Sequence, residues 1–103
     1  GPSGAPIWNS PAIDIKRNQM FIGTGENYSS PASGESDAII AFDLTTGEMN
    51  WVFQATAGDA WNTACGAENP TNCPVEDGPD YDFGAGVLLA QDEHGRDYVV
   101  GGQ

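Results

Sequence analysis

The sequence predicts an all-β fold of short antiparallel strands, and three observations carry that expectation. Short apolar runs rich in Ile, Val and aromatic residues alternate with turn signals. The 14 glycines and 7 prolines stand beside a hydrophobic fraction of 39%, which supplies many turns and enough apolar side chain for a packed sheet. No segment repeats its apolar residues at the spacing of a helix face.

In chain order, Pro11–Ile15 reads as a strand, Lys16–Gln19 as its turn and Met20–Gly23 as the return strand. Tyr28–Glu35 is a Ser/Pro/Gly loop. Asp37–Asp43 and Glu48–Gln54 are the next pair, joined by Leu44-Thr45-Thr46-Gly47, where Asp and Thr cap a tight turn and Gly supplies positive φ. Four short antiparallel strands joined by turns make one propeller blade, expected over 1–56. An irregular stretch, 57–83, follows. Strands are expected again at Gly84–Ala90 and Asp97–Gly101, with a turn over Gln91–Arg96, so that 84–103 opens a second blade. Met20-Phe21-Ile22-Gly23-Thr24 is echoed by Tyr98-Val99-Val100-Gly101-Gly102 about 80 residues later, whereas WD-type blades repeat at about 40–45. The excess of roughly 30 fits 57–83 as an insertion between blades, and long loops in compact domains are usually functional or disordered. One and a half blades lack neighbours for their sheet faces. With no initiator Met at Gly1 and no closing element at Gln103, the chain is expected to be an internal piece of a longer protein.

The 15 acidic residues against 3 basic ones give a net charge of -12. That excludes a nucleic-acid surface, which needs basic patches. It leaves solubility or cation binding as the use of the acidity. No apolar run approaches membrane-spanning length. Cys65 and Cys73 fit no zinc pattern and have no His nearby, so a local disulfide is expected. An oxidising compartment, periplasmic or secreted, is then implied. The inserted stretch also holds Trp61 and six carboxylates with no Lys or Arg.

Residues Ala41-Phe42-Asp43-Leu44-Thr45-Thr46-Gly47-Glu48-Met49-Asn50-Trp51 resemble the tryptophan-docking repeat of quinoprotein β-propellers, A-x-D-x-x-T-G-x-x-x-W, at every fixed position. The resemblance extends over essentially the whole chain, to the blades around the active site of pyrroloquinoline quinone (PQQ)-dependent alcohol dehydrogenases. Gly58-Asp59-Ala60-Trp61-Asn62 and Gly78-Pro79-Asp80-Tyr81-Asp82-Phe83-Gly84 look most like the polyvinyl-alcohol dehydrogenase branch. The resemblance implies about one and a half blades of an eight-bladed propeller, with PQQ and Ca²⁺ near its axis. Trp8 then stands where the family places a floor under the quinone, since a flat anionic ring needs a rigid aromatic face. Gly23-Thr24-Gly25-Glu26-Asn27 matches the family's G-T-G-N loop, which puts Thr24 and Gly25 at the cofactor. Glu26 departs from the family's Asn; it is still a hard oxygen donor for Ca²⁺, and Asn27 could substitute if the loop shifts. The family's catalytic base lies in Trp-Asp-Tyr-Asp. An ungapped alignment puts Asn62 there, and an amide cannot act as a base. An insertion between Trp61 and Asp80 restores Asp80-Tyr81-Asp82, with Asp80 as base and metal ligand and Asp82 second. Against these roles, Asp80 and Asp82 as turn caps and Trp8 as a buried structural Trp are the plainer readings.

The activity so implied is oxidation of an alcohol, polyvinyl alcohol or another secondary alcohol, with electrons passed to an acceptor such as a cytochrome c. Some relatives carry haem c; no Cys-x-x-Cys-His occurs here, so a haem would lie elsewhere in the full-length protein. The competing reading is a cofactor-free propeller that scaffolds protein assembly.

Overall fold

The computed structural model describes residues 3–103. Four strands, β1 (Ala12–Asp14), β2 (Gln19–Gly23), β3 (Ala38–Asp43) and β4 (Met49–Gln54), pair antiparallel in sequential order in one sheet. Two more, β5 (Leu88–Gln91) and β6 (Asp97–Val100), form a separate antiparallel pair. The expected pair 37–43 and 48–54 is found within a residue of each bound. The expected strand 84–90 begins only at Leu88. Gly84 lies under the Trp8 ring and Gly86 against Ser10 O, while Phe83 and Val87 turn into the core. That segment bends at Ala85 and is used for packing instead of pairing.

Side chains alternate across the sheet as a period of two requires. Phe21, Ile39 and Ala41 face one side with Phe83 and Val87, joined by Ala12 and Val99. Ile22, Ala38 and Ile40 face the other, with Met20 and Phe42. The pairing of Phe21 with Ala41 and Ile22 with Ile40 keeps the two sets apart. Strand β3 is buried on both faces over its first four residues, whereas β4 is exposed along nearly its whole length.

The hairpin between β3 and β4 shows each fixed position of its motif at work. Asp43 Oδ1 accepts from Thr45 N and Thr46 N, each at 2.8 Å. Thr46 Oγ1 accepts from Glu48 N at 3.1 Å. Gly47 takes φ of +74°, a region costly for residues with a Cβ. A register shift between Ala41 and Phe42 follows, and Trp51, opposite Ala41, rests on Phe21 with ring centroids 5.7 Å apart. Arg17, in the β1–β2 turn, pairs with Asp14 at 2.9 Å and with Asp97 of β6, tying the two sheets. Among the described residues, no helix is long and apolar enough to cross a membrane.

Candidate functional site

The loop after β2 and the inserted stretch meet at the end of the sheet where β2 finishes and β3 begins. Gly25 N donates to Pro6 O at 3.0 Å, and Asp37 N donates to Gly25 O at 3.0 Å. Asn27 forms bridges to Gly4 on one side and Ala60 on the other, drawing the N-terminal segment and the insertion onto the same loop.

Three carboxylates converge there. One oxygen from each of Glu26, Asp80 and Asp82 lies within 4.8 Å of the others. That span suits a shared cation, because Ca²⁺ holds oxygens at about 2.4 Å and two ligands on opposite sides are then about 4.8 Å apart. Glu26 is buried, and its Oε2 has no hydrogen-bond partner among the described residues. Burial first, and then the Asp82 carboxyl, push Glu26 up to about 8. Asp82 Oδ1 accepts from Glu26 N at 3.0 Å. A Cβ on Gly25 would collide with the Asp82 carboxylate, so that position must stay bare. Asp80 is solvent-exposed, adopts φ of +59°, and is raised above the usual carboxylate range by partial burial, then by Asp82 and Asp59.

Trp8 is 62% exposed and its ring packs on Gly84, two residues after Asp82, where a Cβ would stand 3.2 Å from the ring. Asn9, which the sequence reading passed over, fixes the Trp8 segment: its Nδ2 donates to Gly23 O at 2.9 Å and to Phe83 O at 2.7 Å. Nothing in the local pattern marked Asn9, because both partners are distant in sequence.

The other expected site residues are committed to the scaffold. Thr24 is buried, and its hydroxyl donates to Glu35 O at 2.6 Å and accepts from Ala38 N at 2.9 Å. Asn27 is buried; its Oδ1 accepts from Ser33 N at 2.6 Å and its Nδ2 donates to Ser3 O at 3.3 Å. Asn62, the other occupant considered for the catalytic position, caps the 3₁₀ turn Thr63–Gly66 through Ala64 N and donates to Tyr28 O and Asn72 O, each at 2.9 Å. Cys65 and Cys73 form the expected disulfide in this loop. Glu76 clasps the loop to the segment after β2, accepting from Ala32 N at 2.9 Å and from the Ser30 hydroxyl.

No family model matches the chain. Its whole length aligns with a polyvinylalcohol dehydrogenase of Pseudomonas sp. at 37% identity over 103 residues, and with one of Sphingopyxis sp. at 34% over 106. The chain spans 16% of the length of each of these relatives. A quinohemoprotein alcohol dehydrogenase of Comamonas testosteroni is 34% identical over 68 residues, covering 57% of this chain and 10% of that protein. The crystal structure of the quinohemoprotein alcohol dehydrogenase from that organism superposes with a TM-score of 0.61 at 25% identity, over 96% of this chain and 14% of its own. The chain belongs to the quinoprotein alcohol dehydrogenase family. Its sheets are a fragment of the family's β-propeller.

Proposed function

We propose that the chain is the part of a PQQ- and Ca²⁺-dependent alcohol dehydrogenase that carries the catalytic carboxylates. Segment 1–56 is read as one blade, 57–83 as an inserted acidic loop and 84–103 as the start of the next blade. The observation that carries the reading is the convergence of Asp80 and Asp82 with the buried, unpartnered Glu26, with an exposed Trp8 packed on Gly84 two residues further on. Hard oxygen donors in this number suit Ca²⁺ better than a transition metal. Glu26 and Asp80 would hold the ion, with Asn27 bracing the loop behind them.

A quinone held there would supply the hydride acceptor for the alcohol carbon, and Ca²⁺ would supply the Lewis acidity that favours the transfer. Asp80, whose carboxylate is exposed, takes the hydroxyl proton. Asp82, which accepts from Glu26 N, is the second carboxyl beside it. Trp8 gives the flat ring a rigid face and keeps water off one side. Gly25 leaves room for the Asp82 carboxylate, and Thr24 shapes the loop from behind. The substrate is an alcohol, polyvinyl alcohol or another secondary alcohol, and a cytochrome c is a fitting electron acceptor in a periplasmic or secreted enzyme. A haem c would belong to a part of the protein outside this chain.

The test is Ca²⁺-dependent quinone binding by the full-length protein, read by absorbance and by quenching of tryptophan fluorescence. Saturable binding that Trp8→Ala weakens supports the reading. Absence of binding with both quinone and Ca²⁺ supplied would replace it with a cofactor-free scaffold.

A further inference from the structure

Asp59 and Asp37 are the most enclosed carboxyls in the chain, both 0% exposed, and neither belongs to the cluster that meets the solvent. Asp59 Oδ2 accepts from Tyr81 N at 3.0 Å and its Oδ1 from Asp80 N at 3.3 Å. One carboxylate thus grips two consecutive amides of Asp80-Tyr81-Asp82. The grip falls where the backbone is strained, since Asp80 holds φ of +59°. A non-glycine residue persists in that region only when its surroundings fix it. Gly78 makes the approach possible: a Cβ there would stand 2.9 Å from Asp59 Cα and collide with its Oδ1.

We propose that Asp59 is a positioning residue for Asp80 and Asp82. It does not touch the reacting groups; it acts by fixing the backbone from which the two carboxylates project. The catalytic part of the proposal rests on Asp80 and Asp82 working as described above, whereas the clamp itself does not.

The experiment uses the full-length holoenzyme. In Asp59→Asn an amide N–H faces one of the two backbone donors. Amide exchange in peptides spanning 78–83 is expected to quicken at least tenfold, and kcat to fall about 10²-fold, the size of effect a misplacement of about 1 Å produces. KM and bound quinone are expected to stay near wild type. Gly78→Ala, which presses on Asp59 without removing it, is expected to shift both readouts the same way. Unchanged exchange in Asp59→Asn overturns the clamp. Quickened exchange with wild-type kcat overturns its role in positioning. An Asp80→Asn/Asp82→Asn enzyme with full activity would fault the catalytic assignment instead, and leave exchange as the measure of the clamp.

Discussion

Asp43 and Asp37 sit at opposite ends of β3, and their charges are held in opposite ways. Asp43 closes the strand at the outer turn, where the amides of Thr46 and Thr45 pull it below the usual carboxylate range. Asp37 precedes the strand at the inner end, where burial and a second carboxyl push it up to about 8. A turn supplies its own donors from neighbouring residues; an interior must import them from distant segments. Where none arrives, as at Asp37 and Glu26, the group keeps a proton or waits for a cation. The outer end thus satisfies its carboxyl locally, whereas the inner end leaves carboxyl oxygens of Asp37 and Glu26 without donors among the described residues.

The largest expected effect separates the two ends by activity. Asp80→Asn/Asp82→Asn in the full-length enzyme is expected to lower kcat by about 10²–10⁴-fold with quinone retained, the range of a lost general base. Asp43→Asn is expected to leave kcat unchanged. Steady-state kinetics on both variants would break the comparison if the losses were reversed.

The two ends should also respond to pH with opposite sign. Asp37 is raised above its ordinary value of 3.8, so the native state keeps a proton that the unfolded chain releases. Its contribution to stability is complete below about pH 4 and is lost as pH rises through about 8. Asp43 is lowered, so its contribution is present above 3.8 and is lost as pH falls through its native value. Thermal unfolding of the full-length apoprotein from pH 4 to 9 is expected to show a fall toward alkaline pH that Asp37→Asn flattens and Asp43→Asn does not.

Breaking the disulfide with Cys65→Ser/Cys73→Ser is expected to ease opening of the inserted loop by about 2–3 kcal/mol on the chain-entropy model. Protease cleavage between residues 62 and 77 would report it, with the sheet left intact. The smallest effect belongs to the outer turn. Gly47→Ala at φ of +74° is expected to cost about 1 kcal/mol in unfolding, with unchanged kcat and KM.

Legibility in the sequence followed the same division. The 43–47 turn could be read residue by residue, because Asp43, Thr46 and Gly47 each act on neighbours within five positions. Both strands flanking it were legible for the same reason. The late start of β5 was not, because Gly84 and Gly86 are shaped by Trp8 and Ser10, far back in the chain. Asp37 read simply as the first residue of a strand. Its neighbour Asp59 comes from another segment, and no spacing announces that meeting. The convergence of Glu26 with Asp80 and Asp82 was expected only through the family resemblance, and the commitment of Thr24 to Glu35 and Ala38 needed the folded loop to appear.

The Asp59 grip also gives the insertion a neck. Gly78 N donates to Ala60 O at 3.1 Å, next to the two amides that Asp59 holds, so 59–61 and 78–81 are fastened to each other. Everything between them hangs outside that fastening. Doubling such a loop adds only about 0.6 kcal/mol of closure entropy. Apart from Asn62, Val75 and Glu76, which reach Tyr28, Ser30 and Ala32, residues 62–77 can thus change in length while the carboxylates at their base stay where they are.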